Sequence, residues 1–185
     1  MKKYLLLLFL CSPFYFASGQ GMLKAVNGEV SFYSHALLED IKATSKQVNS
    51  FINMGTGEIV FIIPMRSFHF AKSLMEEHFN EKYIESEKYP QATYKGIINE
   101  KIDFSNPGSF SISAKGRMNI HGRENELTES GQIEIRNDTV VFETKFFVAI
   151  KDYNIAIPKL LFQNIGDTVE VTLKTFYIPN KKIER

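Results

Sequence analysis

Residues 138–150 read Asp138-Thr139-Val140-Val141-Phe142-Glu143-Thr144-Lys145-Phe146-Phe147-Val148-Ala149-Ile150. In an extended chain, Phe142, Phe146, Val148 and Ile150 share one face, while Glu143 and Lys145 take the other. Alternation at period two marks a strand with one face in a core and one in water. Residues 167–177 repeat it, with Val169, Val171 and Leu173 opposite Glu170, Thr172 and Lys174. Residues 111–120 do so again: Ile112, Ala114, Met118 and Ile120 oppose Ser111, Ser113, Lys115, Arg117 and Asn119.

Working outward, strands are expected at 28–34, 36–43, 47–53, 57–63, 92–104 and 125–136. Turn residues punctuate them: Gly55 and Gly57, Asn106-Pro107-Gly108, and Asn137-Asp138. Eight or nine antiparallel strands with short connections make an all-β chain, either an up-and-down barrel or a sandwich. A barrel has the further merit of leaving no free strand edge.

One segment departs from period two. From Phe70 to Tyr83, the residues Phe70, Leu74, Met75, His78 and Phe79 recur at three-and-four spacing, as on an amphipathic helix, and Pro90 ends any continuation. A lone short helix in a β chain must pack somewhere, and one opening of a barrel is the natural place.

The N-terminus reads as an export signal. Lys2 and Lys3 precede an apolar run from Tyr4 to Phe16, and Ala17-Ser18-Gly19 places small residues at the cleavage positions. The run is well short of the roughly 20 residues that cross a bilayer, and no later stretch is long and apolar enough to span. Cleavage is expected after Gly19, making 1–19 the signal and 20–185 one domain in the periplasm. Lipidation at Cys11 is the rival, but Leu8-Phe9-Leu10 supplies no small residue before it. With the signal removed, the mature chain has no cysteine, and so no disulfide, thiol nucleophile or thiolate ligand.

The whole chain carries 22 Lys+Arg against 21 Asp+Glu, far from the basic field that nucleic-acid binding needs. Its 16 Phe and 8 Tyr supply bulky apolar surface, enough for the packed core of a disulfide-free domain.

The residues of common catalytic sites are scattered. His35, His69, His78 and His121 show neither His-x-His nor the i, i+4 spacing of a helical zinc site. There is no Gly-x-Ser-x-Gly elbow and no Gly-rich phosphate loop, and the adjacent Glu76 and Glu77 diverge on a helix. His121 is expected in a tight turn before Gly122, and His78 beside the helix interface. No metal, cofactor or catalytic residue is assigned. Barrel-wall side chains either fill the lumen or line a cavity, and both outcomes remain open at this point.

The stretch from Glu77 to Tyr94, with His78-Phe79 and then Tyr89-Pro90-Gln91-Ala92-Thr93-Tyr94, resembles the YceI-like family. Gly116-Arg117-Met118-Asn119-Ile120-His121-Gly122 is similar to a second family marker, with Met for Leu. Asp152-Tyr153-Asn154-Ile155 and Ile165-Gly166-Asp167-Thr168-Val169 resemble a third. The sequence departs from the family at Met75-Glu76-Glu77-His78, where Arg-Asp-x-His is usual, and at Asn154, where Gly is common.

The resemblance implies a lipocalin-like antiparallel barrel of about eight strands with a helix near one opening. It also implies non-enzymatic carriage of a long-chain lipid of polyisoprenoid, isoprenoid-quinone or fatty-acyl type. The lumen and mouth candidates are then Phe61, Ile63, Phe70, Leu74, Phe79, Tyr94, Met118, Phe142, Phe146, Val148, Tyr153, Ile155, Leu161 and Phe162. Tyr94, Tyr153 and His78 are the polar-tipped members, and the apolar segment 155–162 is expected at the mouth. The expected partner is an apolar lipid, with a homodimer left open. A closed-core structural or stress-response partner and a metal-assisted hydrolase are the alternatives.

Overall fold

The computed structural model describes residues 21–35, 40–156 and 168–178. Its strands are β1 (Met22–Ser34), β2 (Ile41–Ser45), β3 (Asn49–Asn53), β4 (Glu58–Pro64), β5 (His69–Phe70), β6 (Gln91–Ile98), β7 (Gly108–Ile120), β8 (Arg123–Arg136), β9 (Thr139–Ala149) and β10 (Thr168–Tyr177). A single short α-helix, α1 (Ser73–His78), lies between β5 and β6. Eight of these strands close into an antiparallel barrel in the order β1-β3-β4-β6-β7-β8-β9-β10, with β10 returning to β1. β1 is long enough to pair with β3 near its start, at Leu23 and Ile52, and with β2 further on, at Phe32 and Ala43. β2 and β3 are therefore two halves of one bent wall, and β5 extends it.

Period two accounts for the walls. Ile112, Ala114, Met118 and Ile120 of β7, Phe142, Phe146 and Val148 of β9, and Val169, Val171 and Leu173 of β10 all turn inward. The hairpin β7–β8 closes through His121 and Gly122, with φ of 52° and 71°. Two consecutive left-handed residues form the turn whose twist matches a two-residue hairpin. Further down, Gly116 faces Gly96 across the β6–β7 pair. A Cβ at Gly116 would stand 2.2 Å from the Lys95 carbonyl oxygen and 2.5 Å from the Gly96 Cα, so the wall passes there only without a side chain.

The two ends of the barrel differ. At the base, Leu23, Ile52, Ile133, Val140 and Tyr177 are all 0% exposed. Burial of each apolar side chain contributes roughly 1.5–3 kcal/mol. The Tyr177 hydroxyl is held there by Ser50 Oγ at 2.6 Å and by Thr175 Oγ1, which donates to it at 3.0 Å.

At the other end, α1 covers the lumen. Its last turn widens into a π-helical segment, Phe79–Tyr83, closed by the Ile84 N–H donating to the Phe79 carbonyl at 2.9 Å. Glu76 ties the helix to β5 by accepting from the Phe70 N–H at 3.1 Å.

Four sequence expectations are revised. The strand expected over 92–104 ends at Ile98, because Asp103 builds a turn by accepting from the Ser105 N–H at 2.9 Å and from Asn106 Nδ2 at 2.7 Å. The strand expected over 36–43 begins at Ile41, and residues 36–39 lie outside the described set. The helix is six residues long, with Phe70 in a strand ahead of it. Among the described residues the barrel also leaves unpaired strand edges: β8 and β9 pair only from Gly131–Thr144 to Arg136–Thr139, although both strands continue beyond.

Candidate ligand-binding cavity

Above the plugged base lies an internal cavity of about 240 Å³. Measured this way, roughly 10–15 Å³ suffices for one water, so this is an open lumen and not a packing defect. Its wall is almost wholly carbon. Phe61 and Phe142 meet at its centre with ring centroids 5.2 Å apart, and Tyr94 packs on Phe61 at 6.5 Å. Toward the cap, Phe32 gathers Phe68, Phe70 and Phe79 at 5.2, 5.7 and 5.5 Å. Tilted, edge-on and, for Phe32 with Phe79, stacked rings at such distances line the space they enclose.

Ten of the fourteen candidates named from sequence line this cavity: Phe61, Ile63, Phe70, Phe79, Tyr94, Met118, Phe142, Phe146, Val148 and Ile155. His78 lines it as well. Leu161 and Phe162 lie outside the described residues, as does most of 155–162.

Two candidates do not face the lumen. Leu74 is 59% exposed; the stripe that faces inward runs through Met75 and Phe79, one residue further round the helix. Tyr153 is buried in the core at the turn after β9 and is not among the described cavity-lining residues; its carbonyl oxygen lies 3.2 Å from His121 Nδ1. Phe147, grouped with the apolar surplus, is 61% exposed on the outer face of β9.

The polar groups of the lining are few. The Tyr94 hydroxyl donates to the Ala114 carbonyl at 2.9 Å, and burial, with the nearby Glu129 carboxylate, pushes its pKa up to about 12. Tyr94 is therefore a satisfied wall residue. Ser34 Oγ is buried with no hydrogen-bond partner among the described residues. Glu129, Ser130 and Thr144 form a polar edge between β8 and β9. Burial raises the Glu129 carboxyl above its ordinary value. Sequence reasoning passed over Glu129, although it shares the parity of Leu127, Ile133 and Ile135, and that parity was the available signal.

The histidines are dispersed. His35 Nδ1 lies 2.7 Å from Asp40, and His69 Nδ1 3.5 Å from Glu76, both on the exterior. Among the described residues no three His, Cys, Asp or Glu side chains come together as a metal site, and no helix is long and apolar enough to cross a membrane.

The sequence model of the YceI-like domain matches residues 15–176. This chain belongs to the YceI-like family. Solved structures agree on the fold. A polyisoprenoid-binding domain from Saccharophagus degradans, implicated in plant cell wall breakdown, superposes with a TM-score of 0.74 at 14% identity, covering 86% of this chain and 99% of that one. BcnA of Burkholderia cenocepacia gives 0.61 at 14% identity, over 80% of this chain and 95% of that one. The YceI protein of Campylobacter jejuni gives 0.61 at 15% identity, over 80% and 90%. A search of curated proteins finds no match.

The YceI-like markers converge in space. His121 of the second marker lies 2.8 Å from Glu85 of the first and 3.2 Å from the carbonyl of Tyr153 of the third, and its ring stacks edge-on to Tyr89 at 4.4 Å. In this YceI-like barrel His121, Glu85, Tyr89 and Tyr153 fasten the cap and are not among the described cavity-lining residues, whereas Phe79, Tyr94, Met118 and Ile155 of the same markers line it.

Proposed function

We propose that this protein binds and carries a long-chain apolar lipid, of polyisoprenoid, isoprenoid-quinone or fatty-acyl type, without catalysing a reaction on it. The observation that carries this reading is the cavity of about 240 Å³ with its almost uninterrupted apolar lining. Such a lumen offers a hydrocarbon chain what water cannot: burial contributes roughly 25 cal/mol per Å². Burial of the chain against this lining is the term that offsets the association costs of several kcal/mol. Membership of the YceI-like family and the likeness to a polyisoprenoid-binding domain point the same way.

The proposal places the mature protein in the periplasm, exported by the Lys2-Lys3 and Tyr4–Phe16 signal with cleavage near Gly19. N-terminal sequencing of the exported protein checks that step, with Gln20 as the expected first residue.

Titration of the purified protein with a polyprenol, followed by calorimetry, tests binding. The wild type is expected to saturate at one molecule per chain. Phe146→Lys, which sets an ammonium into the lumen from a half-buried position, is expected to lower affinity at least tenfold while the circular dichroism stays native. No uptake by the wild type contradicts the reading.

A further inference from the structure

The β8–β9 ladder stops at the Gly131–Thr144 pair. Beyond it β8 stays with β7, through Glu129 with Ala114 and Leu127 with Gly116, while β9 stays with β10, through Phe146 with Val171 and Val148 with Val169. Among the described residues, the wall between them is unpaired over about half the length of each strand. Two contacts frame the gap. Below, Thr144 Oγ1 donates to the Ser130 carbonyl at 2.7 Å. Above, Asn125 Nδ2 donates to the Asp152 carbonyl at 2.8 Å. Leu127, Glu129, Phe146 and Val148 border the gap, and all four line the cavity. This is a window in the side of the barrel, in the half nearer the helix-covered end: Phe146 is level with Val171 and Phe32, and Phe32 stacks on Phe79 of the cap at 5.5 Å.

Glu129 is the one carboxylate among the described cavity-lining residues, and the described lining holds no Lys or Arg. Among the described residues no hydrogen bond or ion pair engages its side chain. Tyr94 is no partner, since its hydroxyl is spent on Ala114. A half-buried carboxylate with an apolar cavity before it is normally paired, because desolvation without compensation is costly. Burial does raise its pKa, but the geometry stands without that shift.

Resting on the lipid-carrier reading, we infer that the window is the polar gate of the cavity, and that Glu129 receives there the headgroup of an amphiphile ending in an uncharged or cationic hydrogen-bond donor, an alcohol or an amine. The chain lies in the Phe-lined lumen and the headgroup stays at the window, within reach of Ser130 and Thr144. An anionic headgroup is disfavoured. Two like charges held at contact distance repel, and the described lining holds no lysine or arginine to relieve them.

The test compares three probes of one chain length, hexadecanol, hexadecylamine and hexadecanoate, by calorimetry at neutral pH on the wild type and on Glu129→Gln. The wild type is expected to bind the alcohol and the amine at least tenfold more tightly than the carboxylate. In Glu129→Gln, whose amide oxygen still accepts from an alcohol, the gap between amine and carboxylate should close while the alcohol stays bound. Equal binding of all three by the wild type overturns the inference and leaves the carrier reading standing. An unchanged ranking in a natively folded Glu129→Gln overturns it equally. Should that variant fail to fold, the wild-type ranking alone decides. A wild type that takes up none of the three, nor a polyprenol, overturns both readings together.

Discussion

His121 Nε2 lies 2.8 Å from Glu85 Oε2, joining the turn between β7 and β8 to the segment that follows the helical cap. The same ring places Nδ1 3.2 Å from the Tyr153 carbonyl, which can only accept, so Nδ1 donates. Glu85, His121 and the neighbouring Asn154 all have positive φ, at 47°, 52° and 57°. Three left-handed non-glycine residues around one imidazole make this the point where cap, hairpin and post-β9 turn are locked together.

Replacing that ring should loosen the lock. His121→Ala loses both hydrogen bonds and the edge contact with Tyr89, and puts Ala in a left-handed position. The expected cost is about 2–3 kcal/mol, a drop in Tm of roughly 5–10 °C for a chain of this size. His121→Asn tolerates the turn and isolates the ring contacts, so it should lose less. Equal, unchanged melting of both variants would refute the role.

The cap face can be tested by neighbours. Leu74 is 59% exposed, whereas Met75 lines the cavity. Leu74→Asp should leave polyprenol binding within about twofold, and Met75→Asp should weaken it at least tenfold; calorimetry on both reports which stripe faces the lumen. The reverse order would place the helix in a different rotation.

Gly116→Ala should be poorly tolerated, because its Cβ would fall 2.2 Å from the Lys95 carbonyl oxygen and the obstacle is backbone. A loss of roughly 2–3 kcal/mol is expected by urea denaturation, as for overpacking in a core. Near-neutral behaviour would mean that the β6–β7 walls separate readily.

Alkaline stability follows from Tyr177. Burial pushes its pKa up to about 12, above the ordinary 10.0. The folded state then holds the proton where the unfolded state has released it. The stabilisation is full below pH 10 and declines as pH rises from 10 toward 12. The fall is on the order of 2–3 kcal/mol. Chemical denaturation across that range should show a shallower decline for Tyr177→Phe. Parallel profiles would contradict the assignment.

The walls were legible because their signal is local. Along 111–120, 138–150 and 168–177 one parity carries most of the apolar residues, and Ile112, Met118, Phe142, Phe146, Val169 and Val171 of that parity turned inward as expected. The helix was legible as a period but not as a rotation. Its α-helical stretch is six residues, and Met75 and Phe79, at i and i+4, face the lumen while Leu74, one residue round, lies in water. Tyr153 was misplaced because an aromatic residue in a turn can be buried in the core without facing the cavity. The window was not legible at all. β8 and β9 part beyond Gly131 and Thr144 and are joined again by the hydrogen bond between Asn125 and Asp152, 27 residues apart, which no periodicity encodes.

The central claim is an occupied lumen, and native mass spectrometry of the protein purified gently from its own host, followed by organic extraction, tests it most directly. One long-chain lipid per chain, absent from natively folded Phe146→Lys, is the predicted result. An apo mass from every gentle preparation, with no uptake of added polyprenol or fatty-acyl lipid, would contradict it.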